Sequence, residues 1–222
     1  MMQLSSPTDE QGNRLAHTEL GAKAMGYPHP ESALAQPDAA ILRRARKGDE
    51  RAFAVIVHAY ERLVFTYVFR LVEDRRLAED LTQDVFLKVY RGLPAFEGGS
   101  AFTTWLFQIA KNRVIDELRA NERKPQPLNL DDVTAPTLVE PRFEQAEPIE
   151  ALWAAVGELN VDLRAALLLR DVVGLSYAEI ADSLEITVAT VKWRIHKARE
   201  SVQAALELEG FGSVTRADNA VP

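Results

Sequence analysis

Four basic side chains near the C-terminus have the residue type and spacing that bind nucleic-acid phosphates. They are Lys192, Arg194, Lys197 and Arg199. Over about two turns of a predicted helix, such cations can reach phosphates on both sides of a groove. Trp193 lies between them on the side away from the predicted core, and a large outward ring favours contact with a partner. The pattern indicates nucleic-acid binding, although a solvated helix pair that merely carries Lys and Arg is the alternative.

Two short helices around a tight turn must position these side chains. Ser176 followed by Glu179 is a capping box for the first helix, and the Thr187 hydroxyl can cap the second. An apolar stripe with a 3.6-residue period predicts that the two helices pack on each other. Its members are Ile180, Ala181, Leu184, Ile186, Val188, Val191, Ile195 and Ala198. This is the pattern of a helix-turn-helix, whose second helix enters the major groove.

The composition limits the chain to one large or two small domains without disulfides. It has 222 residues and no cysteine, which excludes disulfide scaffolds and Cys-based zinc sites and suits a reducing compartment. No apolar run approaches the ~20 residues of a membrane span, and the N-terminus lacks the basic and apolar blocks of a signal peptide. We therefore expect a soluble cytoplasmic protein that does not insert into a membrane.

The net charge of −7 does not suggest a DNA-binding protein, so the distribution of charge matters. Residues 40–124 carry 16 Lys and Arg against 12 Asp and Glu, whereas residues 125–150 carry one Arg and six acidic residues. Local charge decides where a polyanion binds. The first block and the basic helix near the C-terminus are therefore the surfaces expected to meet nucleic acid.

The apolar periodicity predicts an all-α chain made of two small helical domains. Residues 1–38 contain four prolines and no sustained period, which predicts a disordered extension. Residues 39–124 predict a four-helix domain, with Asp49, Asp74 and Ser100 capping three of its helices. Gly98 and Gly99 lie in the loop before the last of these helices.

A linker and a second helical domain follow. Residues 125–149 contain five prolines and mostly acidic or small residues, which is typical of a flexible linker. Fully extended, residues 125–150 reach about 86 Å, against about 34 Å for one turn of duplex DNA. Residues 150–207 predict the domain that ends in the helix-turn-helix, and residues 208–222 predict a flexible tail.

Two blocks of sequence resemble the sigma factors of bacterial RNA polymerase, in particular the small extracytoplasmic-function class of the sigma-70 family. The first block is GDERAF at 48–53, AEDLTQDVFLKVY at 78–90 and FEGGSAFTTWLFQIAKNRVID at 96–116, and it resembles conserved region 2. The second is LLLRDVVGLSYAEIA at 167–181 with TVKWRIHKAR at 190–199, and it is similar to region 4. The resemblance covers about residues 40–207 apart from the linker, and two motif blocks in the family's order make it specific.

The resemblance implies a protein without a cofactor that binds core RNA polymerase, recognises the −35 and −10 promoter elements, assists promoter melting and directs transcription initiation in a stress or envelope response. Its implied partners are the β′ clamp helices and β flap of the polymerase, promoter DNA and an anti-sigma factor. The acidic linker would follow the RNA-exit path of the polymerase. Melting would need only a higher affinity for an unpaired −10 segment than for duplex.

The resemblance also assigns three groups of contact residues. Those for the −35 element are Thr190, Lys192, Trp193, Arg194, His196, Lys197 and Arg199, of which Lys192, Arg194 and Arg199 would contact the DNA backbone. Those for the −10 element are Phe96, Gly98, Gly99, Ser100, Lys111, Asn112 and Arg113. Those for the polymerase are Glu79, Asp80, Gln83 and Asp84, for which the residues alone favour an ordinary solvated helix face.

The ring of Phe96 has two interpretations that the sequence does not separate. It can stack on an extruded base, which is worth about 1–3 kcal/mol in single-strand binding. It can equally be a core anchor beneath the loop that contains Gly98 and Gly99. In contrast, Phe102 and Trp105 follow the inward period of the next helix and are predicted to be core.

Three positions depart from the family's pattern. Glu185 stands where the turn usually has glycine, which predicts a strained positive φ. Asn160 replaces the usual proline before a helix, and we expect a looser start there. Trp193 replaces a small residue, and we hypothesise that its ring adds an apolar contact, such as one to a thymine methyl, that sets a distinct −35 preference.

Two other classes of protein fit the sequence less well. An ordinary helix-turn-helix regulator would have a receiver or ligand-binding fold upstream, which the all-helical residues 49–121 do not match. For an enzyme, the chain lacks a phosphate-loop motif and a nucleophile–base set. Its histidines, which are His17, His29, His58 and His196, lack metal-ligand spacing. We therefore expect neither catalysis nor a metal site.

Overall fold

The computed structural model describes residues 35–122 and 146–211, and the regular structure in those residues is helical. The helices are α1 (Ala39–Arg46), α2 (Glu50–Val72), α3 (Arg75–Gly92), α4 (Phe102–Glu122), α5 (Ala146–Gly157), α6 (Val161–Asp171), α7 (Tyr177–Leu184) and α8 (Val188–Leu208), with a short 3₁₀ turn at Leu93–Ala95. The all-α prediction is confirmed for these residues. Residues 1–34, 123–145 and 212–222 lie outside them, so the predicted extension, linker and tail stay predictions there. At two edges the predicted bounds are wrong, because residues 146–149 of the predicted linker belong to α5, and Gln36 and Asp38 of the predicted extension cap helices.

Local capping residues determine where α2, α3, α7 and α8 begin. The carboxylates of Asp49 and Asp74 accept first-turn N–H groups of α2 and α3. Ser176 and Glu179 form both hydrogen bonds of a capping box at α7, and Thr187 caps α8. Each of these oxygens pairs with a donor that has no partner within its own helix. All four predicted caps are confirmed.

Two other helix starts differ from the predictions. Helix α4 begins at Phe102, and the first-turn N–H of Thr103 donates to the side-chain oxygen of Gln36 at 3.4 Å. The predicted Ser100 cap is therefore wrong, because the side chain of Gln36 accepts a first-turn N–H group of α4 in place of Ser100. Asn160 was expected to loosen the start of α6, but its side-chain oxygen accepts the Leu163 N–H at 3.0 Å and caps the helix.

Helix α2 is the centre of the N-terminal module, which we define as α1–α4. It packs against α1, α3 and α4. Its buried side chains are Ala52, Ile56, Tyr60, Val64, Tyr67, Val68 and Leu71. By length and apolar composition alone this helix could span a membrane, which the sequence analysis did not anticipate. Its buried stripe repeats every three or four residues and faces other helices, so its apolar character is that of a core helix.

The C-terminal module comprises α5–α8, and it packs against the N-terminal module. Helix α8 contacts α5, α6 and α7, while α4 contacts α7 and α2 contacts α6 across the boundary between the modules. The buried apolar side chains of both modules form one hydrophobic cluster. The sequence predicts two helical domains, but it does not predict that they share this core.

Candidate nucleic-acid interface

The outer side of α8 presents the side chains that the sequence predicts for base contacts. Trp193 is 62% exposed, and His196 and Lys197 are also exposed. Thr190 is half-buried, and its hydroxyl lies 2.8 Å from that of Thr187 at the start of the helix. Directly below this surface, Val191, Ile195 and Ala198 are buried in the core. The helix therefore has one packed side and one open side, as a recognition helix requires.

Three of the four predicted phosphate-binding cations have a carboxylate partner within the chain. Arg194 pairs with Asp162 at 3.0 Å, and Lys197 pairs with Glu200 at 2.9 Å. The exposed Lys197 ammonium lowers the pKa of Glu200 through a hydrogen bond. Lys192 is exposed, and its ammonium lies 5.8 Å from the ring centroid of Tyr177.

Arg199 is held more firmly than the other cations of α8. Its guanidinium donates to both carboxylate oxygens of Asp171, at 2.6 and 3.3 Å. Burial alone would lower the pKa of Arg199, but the hydrogen bonds with Asp171 outweigh burial and raise it. A bidentate pair of this kind fixes geometry as well as charge. Arg199 therefore ties α8 to α6, a structural role that the sequence did not predict.

The turn between α7 and α8 has the strained backbone that its sequence predicts. Glu185 adopts φ 57°, ψ 43°, the left-handed conformation that usually selects glycine. Within the predicted apolar stripe, Ile186 is half-buried and Val188 is 40% exposed. The prediction that Val188 faces the core was wrong. Val188 is the first residue of α8 and lies at the edge of the packed side.

The loop before α4 rests on a cluster of aromatic rings. Phe96 is only 8% exposed, and its ring stacks on Trp105 with 4.8 Å between centroids and 29° between planes. It also makes an edge contact with Phe102. In this arrangement Phe96 is a core anchor, so the structure favours that interpretation over an open stacking surface. Trp105 and Phe102 take part in the same cluster, as their period predicts.

The backbone above this aromatic cluster is exposed and lacks side chains. Gly98 has φ 80°, a conformation that most L residues avoid, and Gly99 is exposed beside it. A Cβ added at either glycine would meet nothing within 4 Å. Open space rather than close packing therefore surrounds this backbone, so a ligand could approach it without obstruction. Ser100, which completes the loop, is half-buried.

The side chains on α4 that are predicted to contact the −10 element are only partly accessible to a ligand. Lys111 and Asn112 are half-buried. Arg113 donates to Asp84 on α3 and to Glu117 on its own helix, both at 2.9 Å. Burial opposes the charge of Arg113, but its hydrogen bonds with the two carboxylates raise the pKa overall. The pair joins two groups that the sequence assigns separately, since Arg113 is predicted for DNA and Asp84 for polymerase.

The predicted polymerase-binding face on α3 is exposed and includes apolar side chains that the sequence analysis missed. Glu79, Asp80 and Gln83 are exposed, and Glu79 also pairs with Arg75 at 3.0 Å. Leu87 lies one turn beyond Gln83 and is 51% exposed. The missed signal is a leucine at i+4 from Gln83 that falls outside the buried Leu81, Val85 and Val89 stripe.

Gln36 is a second residue that sequence reasoning missed. Besides accepting the Thr103 N–H, its side-chain amide donates to the Thr103 hydroxyl at 2.7 Å. Beside it, the Ala35 carbonyl accepts a hydrogen bond from the hydroxyl of Tyr60. Thr103 is fully buried beneath these contacts. No local signal could reveal this contact, because Gln36 and Thr103 are 67 positions apart.

In the part of the chain that the structure describes, no three His, Asp or Glu side chains are grouped so that they could hold a metal ion. The side chains described above offer cations, amides, hydroxyls and aromatic rings on helices. These groups bind phosphates and bases.

Comparisons with known proteins cover both modules. The family description Sigma-70 region 2 matches residues 56–124, and Sigma-70, region 4 matches residues 149–202. The chain is 36% identical over 187 residues to the RNA polymerase sigma-H factor of Pseudomonas aeruginosa, which covers 78% of this chain and 95% of that protein. It is 35% identical over 176 residues to the ECF RNA polymerase sigma-E factor of Escherichia coli K12, covering 74% and 92% of the two chains.

Solved structures agree with these matches at the level of the fold. One is CnrH in complex with the cytosolic domain of CnrY, with a TM-score of 0.60 and 23% identity over 78% of this chain and 99% of that chain. Another is the sigma factor RpoE in complex with the anti-sigma factor NepR from Bartonella quintana, with a TM-score of 0.56 and 22% identity over 71% and 98%.

Proposed function

Because this chain belongs to the sigma-70 family, as an RNA polymerase sigma factor of the extracytoplasmic-function class that directs transcription initiation, we propose how its residues divide that work. The C-terminal module reads the −35 element as duplex, and the N-terminal module binds the −10 element and core polymerase. The observation that carries this assignment is the capped helix α8, which presents Trp193 and flanking cations on its open side.

Reading of the −35 element depends on the exposed residues of α8. Thr190, Trp193 and His196 lie nearest the base edges, together with Lys197. Lys192 and Arg194 contact the DNA backbone, since the Asp162 partner of Arg194 is well exposed and can be exchanged for phosphate. Arg199 also contacts the DNA backbone in this scheme, while its bond with Asp171 holds α8 against α6.

Recognition of the −10 element depends on the loop at residues 93–100 and on the helix that follows it. The exposed backbone at Gly98 and Gly99, with Ser100, offers N–H groups to an extruded base or a phosphate. Lys111, Asn112 and Arg113 contact the backbone near the melted junction. Phe96 supports the loop from below, and stacking of a base on it requires the loop to move.

Polymerase binding uses the exposed side of α3. Glu79, Asp80 and Gln83 supply polar contacts to the β′ clamp helices, and Asp84 positions Arg113 of the neighbouring helix. Leu87 adds apolar area to the same surface. We further propose that the C-terminal module binds the β flap, that an anti-sigma factor masks these surfaces, and that the protein acts in the cytoplasm in a stress or envelope response.

Promoter opening on this scheme is a matter of binding and involves no catalytic step by the chain. Unpaired −10 bases bind the N-terminal module more tightly than paired bases do. This difference in affinity shifts DNA towards the melted form. Extrusion of a base costs a few kcal/mol of free energy, so the contacts between the protein and the extruded base must provide about the same free energy.

The test is transcription by purified core polymerase on a genomic promoter library, with and without this protein. We expect the protein to bind core and to add a defined set of start sites that share −35 and −10 sequences. Replacement of Lys192 by Gln should reduce the salt slope of holoenzyme binding by about 0.9, the loss of one phosphate contact. Lys47→Gln, at an exposed position outside the residues assigned to either promoter element, is the control and should not change the slope. The proposal fails if the protein neither binds core nor changes the start sites.

A further inference from the structure

The loop at residues 93–100, which is proposed to bind the −10 element, carries one charged side chain, and its charge is negative. This side chain is Glu97, and the loop contains no lysine, arginine or histidine. A carboxylate repels the phosphates of a DNA strand. On a surface that binds DNA it is therefore unfavourable unless the bound strand supplies hydrogen-bond donors to it.

No contact within the described part of the chain occupies the Glu97 carboxylate. The side chain is exposed, and it forms no hydrogen bond or ion pair with the residues that the structure describes. In contrast, the acidic side chains beside the DNA-contacting residues of α4 are paired, since Asp84 and Glu117 both bind Arg113. Glu97 does not cap α4 in place of Ser100 either, because the Thr103 N–H donates to Gln36. The carboxylate of Glu97 is therefore available to a ligand.

The backbone of the loop directs Glu97 outwards. Phe96 has the extended angles φ −70° and ψ 104°, and in an extended chain successive side chains point to opposite sides. The ring of Phe96 packs inward on Trp105, so the side chain of Glu97 faces the open side. Gly98 and Gly99 follow directly, with open space where a Cβ would lie. The carboxylate therefore lies beside the exposed backbone that is proposed to receive an extruded base.

The hydrogen-bonding groups of the four bases determine which of them a carboxylate can bind. An extruded base presents its Watson–Crick edge, and an ionised carboxylate only accepts hydrogen bonds, through two oxygens side by side. Guanine offers two adjacent donors on that edge, N1–H and the N2 amino group. In adenine and cytosine an acceptor nitrogen lies beside the amino group, and in thymine N3–H lies between two carbonyl oxygens. Guanine is thus the base that gives a carboxylate two parallel, charge-assisted hydrogen bonds.

We propose that Glu97 selects guanine at the extruded position of the −10 element, with its carboxylate accepting hydrogen bonds from N1–H and the N2 amino group. This inference rests on the proposed function, in which the loop binds an unpaired base. Two hydrogen bonds to guanine offset the repulsion between the carboxylate and the neighbouring phosphates. The other three bases offer one donor at most and place an acceptor against the second carboxylate oxygen. Glu97 therefore favours guanine and disfavours its competitors.

Binding of short single strands to the holoenzyme tests this base preference. The probes carry the −10 segment of a promoter that the protein selects, from either DNA strand, with each of the four bases placed in turn at every position. We expect one position where guanine binds at least about tenfold more tightly than the other bases. Inosine, which lacks the N2 amino group, should bind at least about fivefold more weakly there than guanine. In contrast, 7-deazaguanine keeps the whole Watson–Crick edge and should bind as guanine does.

Glu97→Gln tests the residue without changing the shape of the side chain. The substitution replaces one acceptor by a donor, and an amide matches the adjacent donor and acceptor of adenine or cytosine. The preference for guanine should therefore fall at least about tenfold, and adenine or cytosine should bind better than guanine. Loss of the negative charge raises the affinity for every probe, so the quantity to compare is the ratio of affinities between bases.

Glu61→Gln is the matched control. Glu61 is exposed on α2, outside the residues assigned to either promoter element, and its side chain also has no partner among the described residues. Its substitution removes the same charge from the protein and should leave the preference for guanine unchanged. Both glutamates are exposed and unpaired, so neither substitution should affect folding.

The outcomes separate this inference from the function on which it rests. The inference is wrong if no position of the −10 segment prefers guanine, if inosine binds as tightly as guanine, or if Glu97→Gln keeps the preference of the wild type. In each of these cases, a holoenzyme that still selects start sites and binds unpaired −10 strands supports the proposed function. A holoenzyme that binds none of the single strands contradicts the proposed −10 recognition, and the role of Glu97 with it.

Discussion

Among single residues, Trp193 has a position that folding alone does not explain. Its ring is 62% exposed on α8, while its neighbours Val191 and Ile195 fill the core. We predict that Trp193→Ala leaves the thermal midpoint within about 1 °C, because little buried area is lost. It should reduce the preference for the cognate −35 sequence by about tenfold, comparable to one lost base contact. Competition binding of holoenzyme on −35 variants measures this, with Leu208→Ala, an even more exposed apolar site on the same helix, as the control. An unchanged −35 preference would contradict the role of Trp193.

Asp49 links stability to pH at the start of α2. The N–H of Ala52 and the guanidinium of Arg44 lower the pKa of this carboxyl below its usual 3.8. Because the pKa is lower in the folded state, the stabilisation is present above about pH 3.8 and is lost as pH falls through the folded value. Asp49→Asn keeps a capping oxygen but not the charge. We expect the wild type to melt higher at pH 7 and the difference to close below pH 4. Thermal unfolding of both proteins across this range measures it, and a difference that does not shrink as the pH falls below 3.8 would contradict the assignment.

What could be predicted at this scale depends on whether the partner of a residue is local. The caps at Asp49 and Ser176 follow from donors that are three positions away. The exposure of Trp193 follows from the period of its own helix. The burial of Phe96 and the pairing of Arg113 with Asp84 depend on contacts between helices, and a single sequence does not contain that information.

Among the elements, the α7–α8 turn joins the two helices of the helix-turn-helix and contains a residue with a strained backbone. Glu185 is in the left-handed region, where a side chain costs about 1 kcal/mol and glycine costs nothing. We predict that Glu185→Gly is more stable than Glu185→Ala by about that amount. Both substitutions remove the contact with Gln108, so their difference isolates the backbone term. Urea unfolding measures it, and equal midpoints for the two variants would show that the turn is not strained.

The start of α4 depends on a residue outside its own element. Gln36 accepts the first-turn N–H of Thr103 and donates to its hydroxyl. Gln36→Ala should therefore destabilise the protein by about 1 kcal/mol, as the loss of other N-terminal caps does. Gln36→Glu keeps the acceptor and places a negative charge at the positive end of the helix, so it should lose less. Chemical unfolding of both variants decides this, and an unchanged Gln36→Ala protein would mean that Gln36 does not cap α4.

Secondary structure was readable from the sequence wherever capping and apolar period agree. The carboxylate caps at Asp49 and Asp74 predict the first residues of α2 and α3. The predicted Ser100 cap is wrong because a serine before a helix indicates a cap from local sequence alone. The sequence does not show that Gln36, which is distant along the chain, accepts the N–H group instead. Asn160 was misjudged for a different reason, since asparagine is itself a good capping residue.

At the scale of the whole molecule, the sequence predicts two modules but does not predict how they pack. Each module has its own apolar stripes, and the sequence between them has the composition of a linker. The buried apolar side chains nevertheless form one cluster that includes α2 and α4 of one module and α6 and α7 of the other. Such packing depends on shape and on single polar pairs such as Ser183 with Thr104, which leave no periodic signal.

A shared core predicts cooperative unfolding that depends on Arg164. Calorimetry of the wild type should give one transition, because the modules cannot lose their common core independently. Arg164→Gln removes the guanidinium that donates to the carbonyls at the end of α2 and to those between α5 and α6. The loss should lower the free energy of unfolding by at least about 2 kcal/mol. We expect two transitions in this variant, the first from the C-terminal module.

Arg194→Gln is the matched control, because its equally covered guanidinium pairs with Asp162 inside one module and its loss should preserve a single transition. A single transition in Arg164→Gln would mean that this residue does not couple the modules.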